Sequence, residues 1–212
     1  MWRRVAILFL FTGAVASAVI IDRIAIVIGT SIIKDSDIER DVRATELLNN
    51  QPLDLSLAKR KESANRLIDQ VFIRREIEMG DYPVATEEEA DSELNKLIRQ
   101  RFKTEAAYDA ACRRYGLPPI EMRTQFQWQL TVLRFIDQRF KPGVLVTDDE
   151  IEKYYHEHAA ELRREYPGQS LDDLRDKIRD ILTAQGVDKQ FFAWLDYQRK
   201  NNKIEYLEAS LQ

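Results

Sequence analysis

Residues 24–33 read IAIVIGTSII. Isoleucine and valine on either side of a Gly-Thr-Ser break specify two short strands joined by a tight turn, because β-branched side chains pack well on a pleated surface and glycine supplies the turn. Nearly everything that follows has helical periodicity. An isolated hairpin is marginal in water and leaves both of its edges open. The other segment with strand character is Ile204-Glu205-Tyr206-Leu207, at the far end of the chain. The expected fold is therefore mainly α: a helical bundle with a small β-sheet formed by an N-terminal hairpin (Ile21 to Ile28, a turn at Gly29-Thr30-Ser31, then Ile32 and Ile33) and a C-terminal strand.

Helix boundaries are written in caps and breakers. Ser36-x-x-Glu39, Thr86-x-x-Glu89 and Thr147-x-x-Glu150 are capping boxes, and Ser170-x-x-Asp173 is a related start. Asn50-Gln51-Pro52 ends the first helix. A second covers roughly 55–79 with Ala64, Leu67, Ile68, Val71 and Phe72 on one face, Gly80 at its C′ position and Pro83 beyond. Ala90, Leu94, Leu97 and Ile98 are the inner side of the next. Thr104 opens another, with Tyr108 and Ala111 on one face and Gly116 at its end. Pro118-Pro119 begins a helix with two apolar faces. Met122, Phe126, Leu133, Ile136 and Phe140 form one; Trp128, Val132 and Phe135 form the other. Thr147 opens EIEKYYHEHAAELRREY, Pro167-Gly168 turns the chain, and Gly186 is a candidate kink in the last helix.

The first residues, MWRRVAILFLFTGAVASA, carry the parts of a secretory leader: Arg3 and Arg4, an apolar run from Val5 to Ala16, and the small-x-small site Ala16-Ser17-Ala18. The run is shorter than the ~20 residues of a spanning helix, so cleavage before Val19 is expected, with an uncleaved anchor as the alternative. Loss of both arginines takes Lys plus Arg from 32 to 30 against 36 acidic residues. An acidic chain without a basic block argues against nucleic acid. The single cysteine, Cys112, excludes an internal disulfide and reads as a packed thiol. His156 and His158 lie about 200° apart on a helix and cannot share a metal ion. Neither a phosphate-binding glycine loop nor a catalytic triad is present in the sequence. No cofactor is expected, and binding is favoured over catalysis.

Three stretches together resemble the SurA-type periplasmic chaperones. VIIDRIAIVIGTSIIKDSDIERDVR is similar to that family's opening segment, through Asp22, Arg23, Ile24, Ile26, Val27, Ile32, Ile33, Ser36 and Asp37. NRLIDQVFIRREIEMGDYPVATEEEADSELNKL matches its next stretch at Leu67, Ile68, Asp69, Gly80, Val84, Thr86 and Glu89. LRDKIRDILTAQGVDKQFFAWLDYQRKNNKIEYL is similar to its closing helix and strand, including Trp194, Leu195, Ile204, Tyr206 and Leu207. The resemblance implies one helical peptide-binding module over 19–212 after a leader over 1–18, with the terminal strand beside the N-terminal one. Family members usually carry parvulin-type prolyl isomerase domains before the closing helix. Here that gap is HEHAAELRREYPGQ, between about 156 and 169, whereas such a domain needs about a hundred residues.

The resemblance implies a periplasmic, non-enzymatic chaperone that binds extended segments of unfolded outer-membrane proteins. Two alternatives stand beside it: an assembly or scaffold factor with a single partner, and a residual prolyl isomerase. Candidate contact residues, taken from the second face of the Pro119 helix and nearby loops, are Tyr82, Phe102, Tyr108, Trp128, Val132 and Phe135.

Overall fold

The structure, a computed structural model, describes residues 22–208 and Leu211. The leader, the cleavage site and Ile21 lie outside the described residues. Strand β1 (Ile24–Ile28) turns through Gly29-Thr30 into β2 (Ser31–Lys34), and β3 (Ile204–Tyr206) pairs antiparallel with the other side of β1. The sheet order is β2-β1-β3, so the two ends of the described chain meet in one sheet, as the strand pattern predicts. Gly29, with φ 58°, holds the first turn position, where a β-branched residue would be strained.

Strand β2 runs directly into α1 (Asp35–Asn49). The expected Ser36/Glu39 box does not form. The helix starts earlier: the Asp37 carboxylate accepts from the Lys34 N–H at 3.0 Å, while the Ser36 hydroxyl donates to Asp22 at 2.7 Å. Helix α2 (Leu57–Met79) buries Ala64, Ile68 and Phe72 against Ile26 and Ile28 of β1. It does not end on a left-handed Gly80. That residue has φ −92° and Asp81 takes φ 52°; a Cβ on Gly80 would run into the Tyr82 ring.

Helix α3 (Glu87–Leu97) starts at the Thr86/Glu89 box and leads through a π-helical turn (Ile98–Phe102) to α4 (Glu105–Tyr115), which Thr104 caps and a left-handed Gly116 ends. These helices and α1 enclose a core of Leu47, Leu94, Tyr108, Cys112 and Met122. Helix α5 (Pro119–Phe140) runs through the middle of the bundle. Its faces differ from the expectation in one respect. Leu133 is 63% exposed, and the buried position beside it is Thr131, whose hydroxyl accepts from the Ala85 N–H at 3.0 Å and donates to the Gln127 carbonyl at 2.8 Å.

Helix α6 (Asp148–Glu157) carries the Thr147/Glu150 box but stops at His158, and a separate α7 (Ala159–Glu165) follows. The His158 ring stacks on Tyr154 at 4.0 Å and bonds its carbonyl through Nδ1 at 3.1 Å, which marks the break. Helix α8 (Leu171–Asn201) is one continuous element through Gly186. That glycine gives room to the chain before α6: a Cβ there would lie 2.5 Å from a Val144 methyl. The first half of α8 packs on α6 and α7 through Leu174 and Ile178. Its second half packs on α2 and α5 through Trp194 and Leu195.

Candidate functional site

The six aromatic and aliphatic candidates divide between two cores. Tyr82, Trp128, Val132 and Phe135 gather in the core under α8, where the Tyr82 ring meets Phe135 edge-on at 5.1 Å. Phe102 and Tyr108 meet at 5.4 Å in the core under α4. Phe135 and Tyr108 are buried and fill space inside the bundle; the other four are half-buried. Cys112 is fully buried beside Tyr108, and burial pushes both its thiol and the Tyr108 hydroxyl above their ordinary ranges. Both therefore stay neutral, which fits the packed thiol read from the sequence.

An open hollow lies elsewhere. A cleft of about 480 Å³ runs between β2, α1, α2 and the first half of α5, within the size range of small-ligand sites. Its floor is apolar: Ile33, Ala44, Leu67, Val71, Leu117 and Met122. Charged side chains rim it, and most are already paired. Arg40 bonds Asp37 at 3.0 Å and approaches Glu121 at 3.4 Å. Arg66 grips Asp41 through Nε at 3.1 Å and Nη2 at 2.6 Å. Arg74, a residue of its wall, lies over the Trp128 ring, 4.1 Å from its centre; none of the six candidates lines the cleft itself. A second hollow of about 210 Å³ shares Arg40, Leu117 and Glu121 with the first and extends it past Gly116.

The walls also carry Gln70 on α2 and Gln125 on α5, both half-buried. Their amides bond no other described residue. Sequence reading passed over them, since a polar residue on an amphipathic helix reads as its solvated side. The available signal was weak: Gln70 and Arg74, and Gln125 and Trp128, recur at helical spacing on the two helices that form the walls. Among the described residues no group of three or more His, Cys, Asp or Glu side chains could hold a metal, and no helix is long and apolar enough to cross a membrane. The apolar lining and the two amides offer packing and hydrogen-bonding contacts.

No protein-family model and no curated protein matches the sequence. The fold does have a counterpart among solved structures. It is similar to a chain from the work on the virulence factor PEB4 and the periplasmic protein Cj1289, two structurally related SurA-like chaperones of Campylobacter jejuni. The TM-score is 0.55 at 13% identity, and the match covers 89% of this chain and 100% of that one. The chain has a SurA-like fold.

Proposed function

We propose that residues 19–212 form a periplasmic chaperone that holds extended segments of unfolded outer-membrane proteins and has no isomerase activity. The observation that carries this reading is the SurA-like fold, formed around an open, apolar-floored cleft. Holding an extended client needs exposed apolar surface and main-chain partners, and no covalent step. The segment between α6 and α8 supports the non-catalytic part. It consists of α7 and one turn, where an inserted isomerase domain would need about a hundred residues. An excess of acidic over basic residues helps keep a loaded complex soluble.

The test is suppression of aggregation. Residues 19–212 are mixed at near-stoichiometric ratio with a urea-unfolded outer-membrane β-barrel protein, which is then diluted, and light scattering is followed. An unrelated acidic helical protein serves as control. Suppression well above the control supports a holding chaperone. Scattering equal to the control refutes it and favours a factor with one defined partner, to be sought by pull-down from periplasm. Acceleration of prolyl isomerisation in a model peptide would overturn the non-enzymatic assignment.

A further inference from the structure

Within that chaperone reading, we propose that the cleft takes its client by strand addition to β2, recognising main-chain amides rather than a side-chain sequence. Three observations converge on this. The first is the position of β2. It is an edge strand, and both Ile32 and Ile33 line the cleft. Neighbouring residues of a strand point to opposite faces, so a hollow bordered by both lies along the strand's edge.

The second is the direction of the main-chain groups. Ser31 and Ile28 flank a two-residue turn and form the hydrogen-bonded pair, so Ile32 and Val27 form the next, non-bonded pair. Val27 and Ala25 turn their main-chain groups toward β3, and the Ala25 carbonyl accepts from the Leu207 N–H at 2.8 Å. The Ile32 N–H and C=O therefore point away from β1, and neither bonds another described residue. The Lys34 N–H, two positions along the same edge, is taken by Asp37, so the open pair is confined to Ile32. The residue is 47% exposed.

The third is a pair of glutamines in the lining. Gln70 stands on α2 and Gln125 on α5, each a donor and an acceptor at an adjustable height. An extended segment bonded to Ile32 can present its next peptide groups to them, with alternate side chains on Leu67, Val71 and Met122. A strand of an unfolded β-barrel alternates apolar and polar residues, so one side of it suits this floor and the other stays wet. Because every peptide bond offers the same groups, such a cleft accepts many sequences while requiring an extended backbone.

The test uses residues 19–212 and an end-blocked decapeptide that alternates valine or tyrosine with threonine, compared with the same peptide N-methylated on alternate amides. Binding is read by fluorescence anisotropy. The parent should bind, and N-methylation in one of the two registers should weaken it at least tenfold. Ile32→Pro removes the outward N–H at an edge position that tolerates proline, and it should weaken the parent about tenfold. The double change Gln70→Met with Gln125→Met should do the same at nearly unchanged side-chain volume. Equal affinity for parent and both methylated peptides overturns strand addition whether or not the variants fold. A wild-type dimer that Ile32→Pro converts to monomer, with no peptide bound, also overturns it and assigns the edge to a second copy. If the unmodified protein suppresses barrel aggregation but neither peptide competes, strand addition fails and the chaperone reading stands. If peptide binding depends on main-chain amides but aggregation is not suppressed, the cleft stands and the client assignment fails.

Discussion

Replacing Phe135 with alanine separates a core aromatic from one that meets a client. Phe135 is 1% exposed. Its ring is met edge-on by Tyr82 at 5.1 Å and Phe140 at 5.8 Å, with Trp194 tilted against it at 5.7 Å. Ile73 and Ile77 of α2 and Leu195 of α8 belong to the same buried core. These neighbours are spread over α2, the loop after it, α5 and α8, so most cannot collapse into the vacated space without moving whole elements. A buried Phe→Ala change of this kind costs about 3–5 kcal/mol. With a urea slope of about 2 kcal/mol per molar, the unfolding midpoint should fall by about 1.5–2.5 M. Tryptophan emission reports it, since residues 19–212 retain Trp128 and Trp194 and Trp194 touches the altered site. Trp128→Ala is the counterpart. That ring is half-buried beneath Arg74, and losing the cation contact and partial burial should cost about 1–2 kcal/mol while weakening peptide binding. A loss below about 1 kcal/mol for Phe135→Ala, accompanied by loss of client binding, would refute the core assignment and return Phe135 to the binding surface.

Thr131→Val keeps the shape of a buried residue but strands the Ala85 N–H, which now donates to Thr131 at 3.0 Å; it should cost about 1–3 kcal/mol, whereas Thr131→Ser should keep most stability, both read by urea unfolding. Acid should destabilise the helix starts. Hydrogen bonding holds Glu89 (to Arg134, then Thr86), Glu150 (to Thr147) and Asp173 (to Ser170) below their ordinary values of 4.5, 4.5 and 3.8. The stability they contribute is present above those values and is lost as pH falls through the lower folded ones, so melting temperature should drop below about pH 4.5, and Glu89→Gln should flatten that slope. Asp35 has the opposite sign: burial and the nearby Glu208 carboxyl raise it, so its stabilising contribution is present below 3.8 and is lost as pH rises through its folded value. Asp35→Asn should therefore cost less stability at pH 7 than a paired surface carboxylate would suggest, by the same melting assay.

Elements whose cause is local were legible in the residues. The starts at Thr86, Thr104, Thr147 and Ser170 depend on bonds that span three positions, and a run of four residues contains all the needed information. The Ser36 start was misread because its outcome is decided at a distance. Asp22, fourteen positions away, takes the serine hydroxyl, and Asp37 rather than Glu39 then meets the free N–H of Lys34. Leu133 was misassigned for a similar reason. Periodicity identifies an apolar stripe but not which neighbour covers it, and α3 with the loop before it covers the Thr131 side. The candidate site was less legible than the fold. Aromatic residues draw attention by size, yet Phe135 and Tyr108 are buried in cores and none of the six candidates lines the cleft. The cleft depends on Ile32, Gln70 and Gln125 lining one hollow from three elements, a relation that no single amphipathic pattern contains.

The order of the sheet has a consequence for how the edge at β2 is kept. Strand β1 is central, yet its partner β3 comes last in the chain, so the sheet closes only through contacts between residues about as far apart in sequence as this chain allows. Such contacts repay loop-closure entropy late. Ion pairs at the joint assist: Arg199 of α8 bonds Asp69 at 2.7 Å and the Asn65 carbonyl at 2.7 Å, and Arg60 bonds both Asp35 and Glu208 at 3.0 Å. These fix the end of α8 and the residues after β3 to α2, so β3 arrives in register on one side of β1. The other side is already occupied by β2, which turns back after two residues. A C-terminal strand that paired with β2 instead would fill the cleft edge. The anchors on α2 direct β3 to the opposite edge, and the open N–H and C=O of Ile32 follow from that placement. The strand remains short, with Lys34 at its end, the features that keep an exposed edge from pairing without limit. One open N–H and C=O is too small an edge to bind by itself, so whatever binds there must also use the apolar floor.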